Sequence, residues 1–326
     1  MGEFELIERY FKRPAGRNSL EHQEPSRVAL GVGDDCALLR PAPGMQLAVS
    51  TDMLVEGRHF LSTVEPARLG HKALAVNLSD LAACGASPLA FSLALSMPKA
   101  DERWLEGFSR GLFALADSHG CELVGGDTTQ GALNICITVF GEVPAGGALL
   151  RSGARAGDDI YVSGTIGDAR LALEVFRGKL SVASEVFEAA RVRLEQPTPR
   201  VALGLALRGI ATAAIDISDG LAGDLGHLLK QSGVGARIDS VSAMGLLAAP
   251  SLADDVALDL VLSGGDDYEL LFTAPASASD AVKAASTSCG TRVTRIGTIQ
   301  LEPGLQLVDR SGAVLMRRFS SFDHFA

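Results

Sequence analysis

A recurring junction runs through this sequence. Short apolar segments pass directly into stretches of Gly, Ser, Thr and Asp at GVGDD (31–35), STD (50–52), GGDTT (125–129), DISDG (216–220) and SGGDDYE (263–269). One aspartate in such a place is an ordinary turn or helix cap, because its carboxylate accepts from nearby backbone N–H groups. Repetition of the design predicts more. In open α/β sheets ligands gather outside the carboxyl ends of strands, and here many strands are expected to put an acid there.

The segments between these junctions alternate in period. Residues 3–12 read as a short amphipathic helix and 15–27 as a polar loop. Strands are expected at 28–32 and 46–50. Pro66 opens a helix on which Leu69, Ala73, Val76, Asn77, Asp80 and Leu81 fall at helical spacing, and Gly85 and Pro88 end it. Strand 89–96, helix 101–119, strand 122–124 and strand 133–142 complete a first α/β unit. Pro144, Gly146 and Gly147 mark a boundary, so 1–147 and 148–326 are expected as two domains, in keeping with 326 residues at roughly 100–200 per domain. In the second half, strands are expected at 160–162, 212–217, 268–273 and 292–298. Helices are expected at 168–177, 184–194, 199–209, from 220 to about 232, and at 279–288. The fold class is therefore α/β with mixed sheets.

Asp80 is the sharpest single position. It lies on an otherwise apolar helix, three residues after Asn77, so both project from one face. A carboxylate in apolar surroundings is costly unless it is paired or binds a metal. Acids and hydroxyls without His or Cys partners form a hard-oxygen set that suits Mg²⁺ and not zinc. Mg²⁺ held this way usually shares its shell with substrate phosphates, so the acids imply a polyphosphate ligand.

Composition removes other classes. With 29 basic and 39 acidic residues the formal charge is −10, and no basic stripe suggests nucleic acid. The five cysteines form no C-x-x-C pair and are expected as small buried hydrophobes in a reducing compartment, Cys36 beside Asp35 included. No run of about 18 uncharged apolar residues spans a membrane, and residues 1–13 lack a signal-peptide pattern, so the cytoplasm is expected. The P-loop, H-E-x-x-H and G-x-S-x-G motifs are missing, and the G-x-G-x-x-G beginning at Gly31 has Cys36 in its last position.

Taken in order, GVGDDCALL, STD with VEGRHF, KALAVNLSDLAACGA, VGGDTT, RSGARAGD, IDISDGL and SGGDDYELLF resemble the thiamine-monophosphate kinase family of the aminoimidazole ribonucleotide synthetase superfamily, over nearly the whole chain. The resemblance implies a two-domain fold whose N-terminal sheet forms a homodimer interface, ATP as co-substrate, thiamine monophosphate as acceptor and several Mg²⁺ ions. It implies metal ligation by Asp35, Ser50, Thr51, Asp52, Asp80, Asp127, Asp216 and Asp219, with Asp35, Asp52, Asp80, Asp127 and Asp216 central to catalysis. It puts ATP at Gly126, Asp127, Arg151 and Ser218, and the acceptor at His59, Asp266 and Phe322. Asp266 stands where some relatives have Glu, and Phe322 where some have Tyr or Trp.

Three other readings stand beside this one. Another ATP-dependent enzyme of the superfamily is the nearest, but residues 13–27 hold neither the Cys nor the Lys that selenophosphate synthesis would want. A nucleotide- or metal-sensing protein would bind ATP without turnover. Acids serving only as turn formers would tolerate amide substitution.

Overall fold

A computed structural model describes residues 2–13, 26–249 and 252–315 of the chain. These divide into two units, 1–81 with 86–146, and 82–85 with 147–326.

The first unit contains α1 (Glu3–Tyr10), the short hairpin of β1 (Val28–Leu30) and β2 (Leu38–Leu39), and β3 (Met45–Val55). After α2 (Pro66–Ala83) come β4 (Ser87–Met97), α3 (Glu102–Ser118), β5 (Glu122–Gln130) and β6 (Asn134–Pro144). Its main sheet has the order β3-β6-β4-β5, antiparallel except for the parallel β4–β5 pair. Alternation decides the two faces. On β6, Ile135, Ile137 and Val139 are at most 1% exposed, whereas Asn134, Cys136 and Thr138 between them are only half-buried. The buried face, with Phe91, Leu93 and Leu95 from β4, forms a core with the apolar residues of α2 and α3, among them Leu74, Leu78, Phe108 and Leu112. Asp101 starts α3 as an N-cap, its carboxylate accepting from the N–H groups of Arg103 and Trp104.

The second unit contains β7 (Asp158–Ser163), α4 (Asp168–Phe176), α5 (Ser184–Glu195), α6 (Val201–Ala206), β8 (Ala213–Ile217) and α7 (Leu221–Ser232). There follow β9 (Gly235–Asp239), α8 (Ser240–Met244), α9 (Asp254–Ser263), β10 (Glu269–Pro275), α10 (Ser279–Ser288), β11 (Val293–Gln300) and β12 (Gly304–Val308). Six strands in the order β12-β9-β11-β7-β10-β8 make a mixed sheet, with β12–β9 parallel and the other pairs antiparallel. β7 and β8 are buried at every position, so they show no alternation of buried and exposed residues. Their core continues through Leu221, Leu225 and Leu228 of α7 and Leu258 and Val261 of α9.

Several expectations need correction. β9, α8, α9 and β12 lay outside the sequence reading, because the stretches at 235–263 and 304–308 carry little periodic contrast. The acidic junctions are not all turns at strand ends. STD and GGDTT lie inside β3 and β5, and SGGDDYE follows the helix α9 and leads into β10. Only GVGDD and DISDG keep the expected strand-to-turn form. Among the cysteines only Cys121 is buried, and Cys36 is exposed.

Candidate active site

The first group of site residues is built where α2 meets the edge strand β3. Ser50 and Asp52 pair in register with Val139 and Ile137, which are buried, so their side chains lie on the helix-covered face. Ser50 Oγ donates to Asp80 Oδ2 in a close hydrogen bond. The backbone N–H of Asp52 donates to Asn77 Oδ1 at 3.1 Å, and Asn77 Nδ2 donates to the Ala73 carbonyl at 3.0 Å. Asn77 is fully buried, and it satisfies an edge-strand N–H that the ladder on that side leaves over. The helix face holding Asn77 and Asp80 is thus turned to the strand and not to solvent. Thr51 differs: its hydroxyl is on the opposite face, 2.9 Å from that of Thr138. The three consecutive residues of STD therefore cannot all aim side chains at one point.

A second group lines a cleft of about 1010 Å³ in the same unit. Asp34, Asp35, Gly126, Asp127 and Thr128 share its wall. Gly126 is required there. Its φ is +145°, and a Cβ would stand 1.8 Å from the carbonyl oxygen of Leu93 on the neighbouring strand. That close approach sets how β5 passes β4 just before Asp127. So Asp35 and Asp127 line one cleft, Ser50 is bonded to Asp80, and the Asp52 backbone is bonded to Asn77 on the same helix.

His59 sits in the turn after β3. Its Nδ1 accepts from the Val55 N–H at 3.0 Å, which makes the neutral ring the Nε2–H tautomer. Lys72 of α2, 2% exposed, donates to the His59 carbonyl at 3.2 Å and pins the turn from below.

In the second unit Asp216 is buried on β8, and Ser218 and Asp219 form the turn into α7. That turn is held by Asp224. One carboxylate oxygen, Oδ2, accepts from the N–H of Ser218 and of Asp219, both at 3.1 Å. Burial pushes the Asp224 carboxyl up to about 7, and the Asp219 charge adds to this, against the two N–H donors and Arg151. Arg151 is exposed, with its carbonyl accepting from Ser232 Oγ at 3.2 Å; among the described residues it forms no ion pair. Asp266 N–H donates to the Ser218 carbonyl at 2.9 Å, so the segment before β10 is bonded to the same turn. Phe322 lies outside the described residues. Among the described residues no three His, Cys, Asp or Glu side chains stand close enough together to enclose a metal ion.

Residues 33–143 match the model for the AIR synthase related protein N-terminal domain, and residues 155–310 match that for its C-terminal domain. Thiamine-monophosphate kinase of Salmonella typhimurium is 47% identical over 328 residues, an alignment covering 100% of this chain and 98% of that protein. The chain belongs to the thiamine-monophosphate kinase family. The thiamine-monophosphate kinase of Escherichia coli K12 is 45% identical with the same coverage. The crystal structure of thiamine-monophosphate kinase from Stenotrophomonas maltophilia K279a superposes with a TM-score of 0.81 at 46% identity, over 87% of this chain and 92% of that one. A structure of a family member complexed with AMPPCP and TMP has a TM-score of 0.74 at 30% identity, over 88% and 89%. A hydrogenase maturation protein in complex with ATP, 20% identical with a TM-score of 0.76, shares the fold.

For a member of the thiamine-monophosphate kinase family, the motifs could be picked out in sequence, and the residues that brace them could not. Asp224 and Lys72 were missed. Asp224 had one available signal, an acid four residues into an apolar helix just after DISDG. Lys72 had the same kind of signal, a charge inside the apolar run KALAV.

Proposed function

We propose that this chain transfers the γ-phosphoryl group of ATP to the phosphate of thiamine monophosphate, in line and without a phospho-enzyme, giving thiamine diphosphate and ADP. The observation that carries the reading is the full-length likeness to thiamine-monophosphate kinases, 47% identical over 98% of the relative, and a family member has been solved with AMPPCP, an ATP analogue, and TMP.

The donor set fits magnesium. Asp80 with Ser50, Asp52, and the pair Asp35 and Asp127 offer only oxygen, with no thiolate or imidazole among them. Mg²⁺ usually takes one or two carboxylates and fills its shell with water and phosphate oxygens. Asp35, Ser50, Thr51, Asp52, Asp80 and Asp127 in the first unit, and Asp216 and Asp219 in the second, are the residues that would hold several such ions. Thr51 would do so from the far face of β3, where its hydroxyl lies. Bound there, the ions supply neutralisation of phosphate charge.

That neutralisation answers the central difficulty of the reaction. A phosphate monoester has a second pKa near 6, so at pH 7 the attacking oxygen is mostly ionised and no strong general base is needed. Repulsion is the obstacle: one pair of unit charges about 4 Å apart costs roughly 4 kcal/mol at an effective dielectric near 20. The chain's own groups then act by position and charge. Ser50 orients the Asp80 carboxylate, and Asn77 holds the backbone of Asp52. Gly126 lets Asp127 approach the nucleotide. Asp224 fixes the Ser218–Asp219 turn, and Arg151 and Ser218 take ATP phosphate oxygens. His59 offers its Nε2–H to the acceptor, beside Asp266 and Phe322.

The reading also takes 1–147 as the ATP, metal and dimerisation domain and 148–326 as the domain that completes the site. The open face of the β3-β6-β4-β5 sheet supports a homodimer, since Leu47, Val49 and Met53 are 45%, 58% and 52% exposed on it.

The test is to incubate the purified chain with ATP and thiamine monophosphate and detect thiamine diphosphate by mass spectrometry, with and without Mg²⁺. Product is expected only with Mg²⁺, and Asp80→Asn and Asp127→Asn are expected to abolish it with the fold preserved. No thiamine diphosphate under any divalent cation overturns the reading.

A further inference from the structure

The segment 264–269 is held in an unusual backbone conformation. Asp266 and Tyr268 are the non-glycine residues with positive φ among those described, at 68° and 53°. Such angles persist in L residues only where the surroundings over-determine them. Here they do. Asp266 N–H bonds the Ser218 carbonyl at 2.9 Å, and Tyr268 N–H bonds the Ile217 carbonyl at 2.8 Å. Gly265 admits this contact, since a Cβ would meet the Ser218 carbonyl oxygen at 2.3 Å.

The residues between and after the two strained positions point inward. Asp267 is fully buried, and its Oδ2 accepts from the Gly167 N–H at the start of α4, at 2.8 Å. Glu269 is fully buried and receives Arg193 at 2.7 Å, Arg200 at 2.5 and 2.6 Å, and Ser163 Oγ at 2.5 Å. Asp267 and Glu269 thus act as two nails through one segment. Asp266 and Tyr268 alternate with them, both only half-buried, and the Tyr268 hydroxyl donates to Asp266 Oδ1 at 3.1 Å.

We propose that Tyr268 is a positioning residue for acceptor recognition. Its hydroxyl holds one oxygen of Asp266, so the carboxylate meets the substrate in a single orientation. The inference rests on the reading of thiamine monophosphate as acceptor and Asp266 as its contact. The chemistry suits that class of ligand, which carries an exocyclic amine and a quaternary ring nitrogen, both partners for a fixed carboxylate. It also explains how Asp266, with one methylene fewer than Glu, is kept in one place: the shorter side chain is braced by a neighbour.

The experiment is steady-state kinetics on the full chain, varying thiamine monophosphate at saturating ATP and then the reverse, for wild type, Tyr268→Phe, Asp266→Asn and the double variant. Tyr268→Phe removes one hydrogen bond to a charged group and is expected to raise KM for thiamine monophosphate roughly tenfold. The KM for ATP, kcat and the unfolding midpoint are expected to stay within about twofold or a few degrees. In the Asp266→Asn background the same change is expected to add little, because the group it orients is gone. Equal effects of Tyr268→Phe in both backgrounds, or a matching rise in KM for ATP, overturn the proposal. If Asp266→Asn leaves KM for thiamine monophosphate unchanged, Asp266 is not the contact and the proposal falls with it. A wild type that turns over no thiamine monophosphate sinks instead the reading of function from which it starts.

Discussion

Replacing Asp224 by Asn isolates the cost of keeping an acid under the Ser218–Asp219 turn. Both N–H donors reach the same oxygen, Oδ2, at 3.1 Å, so an amide oxygen can take its place without moving the turn. What changes is titration. Burial raises the Asp224 carboxyl from 3.8 to about 7 in the folded chain. Between these values the native state holds a proton that the unfolded chain has released. Stability from this group is therefore fully present below the unfolded value, falls as pH rises, and is gone above the folded value. About three units at 1.36 kcal/mol each make the loss roughly 4 kcal/mol. Asn cannot titrate, so Asp224→Asn should match wild type near pH 4 and exceed it by up to roughly 4 kcal/mol at pH 8, on the order of 10 °C in midpoint for a unit of this size. The assay is urea and thermal unfolding from pH 4 to 8 without ATP or divalent cations. Amide exchange of residues 213–232 assigns the change to this unit. Asp168 and Asp267, both also raised by burial, contribute equally to the two proteins and cancel in the difference. Stability curves that stay parallel across this range would refute the reasoning.

Gly126→Ala should destabilise the first unit by several kcal/mol, because its Cβ would lie 1.8 Å from the Leu93 carbonyl oxygen at a φ of +145°; circular dichroism melts check this, and an unchanged midpoint counts against the strand contact. Glu269→Gln should cost about 3–5 kcal/mol by leaving the Arg193 and Arg200 charges without their buried partner, measured by urea unfolding. Ser50→Ala removes the donor to Asp80 and should cost about 1 kcal/mol of stability. If Asp80 needs that orientation, turnover at limiting Mg²⁺ should fall much further than stability does.

Much of the architecture was readable from period alone. The helix from Pro66, the strands around Ile160 and Ala213, and the helix at 279–288 all appear within a residue or two of where apolar spacing put them. The strands carrying Asp52 and Asp127 ran longer than expected because Thr, Ser and Gly were read as turn formers. In the folded chain they are interior strand residues paired to β6 and β4, and pairing across the sheet overrides local preference. The helix α9 and strands β9 and β12 carried too little contrast between apolar and polar positions to be seen.

The site divides the same way. Which acids are candidates was written in the order of the motifs, since those residue types can be counted along a chain. Which of them meet was not. The pairing of Ser50 with Asp80 and the exclusion of the Thr51 hydroxyl from that face depend on strand register, where a shift of one residue exchanges faces. The clamp of Arg193 and Arg200 on Glu269 joins residues 76 and 69 positions apart, and the Asp267 bond to Gly167 spans 100. No local pattern reports such distances, because burial and charge pairing are settled only when separate elements pack against one another.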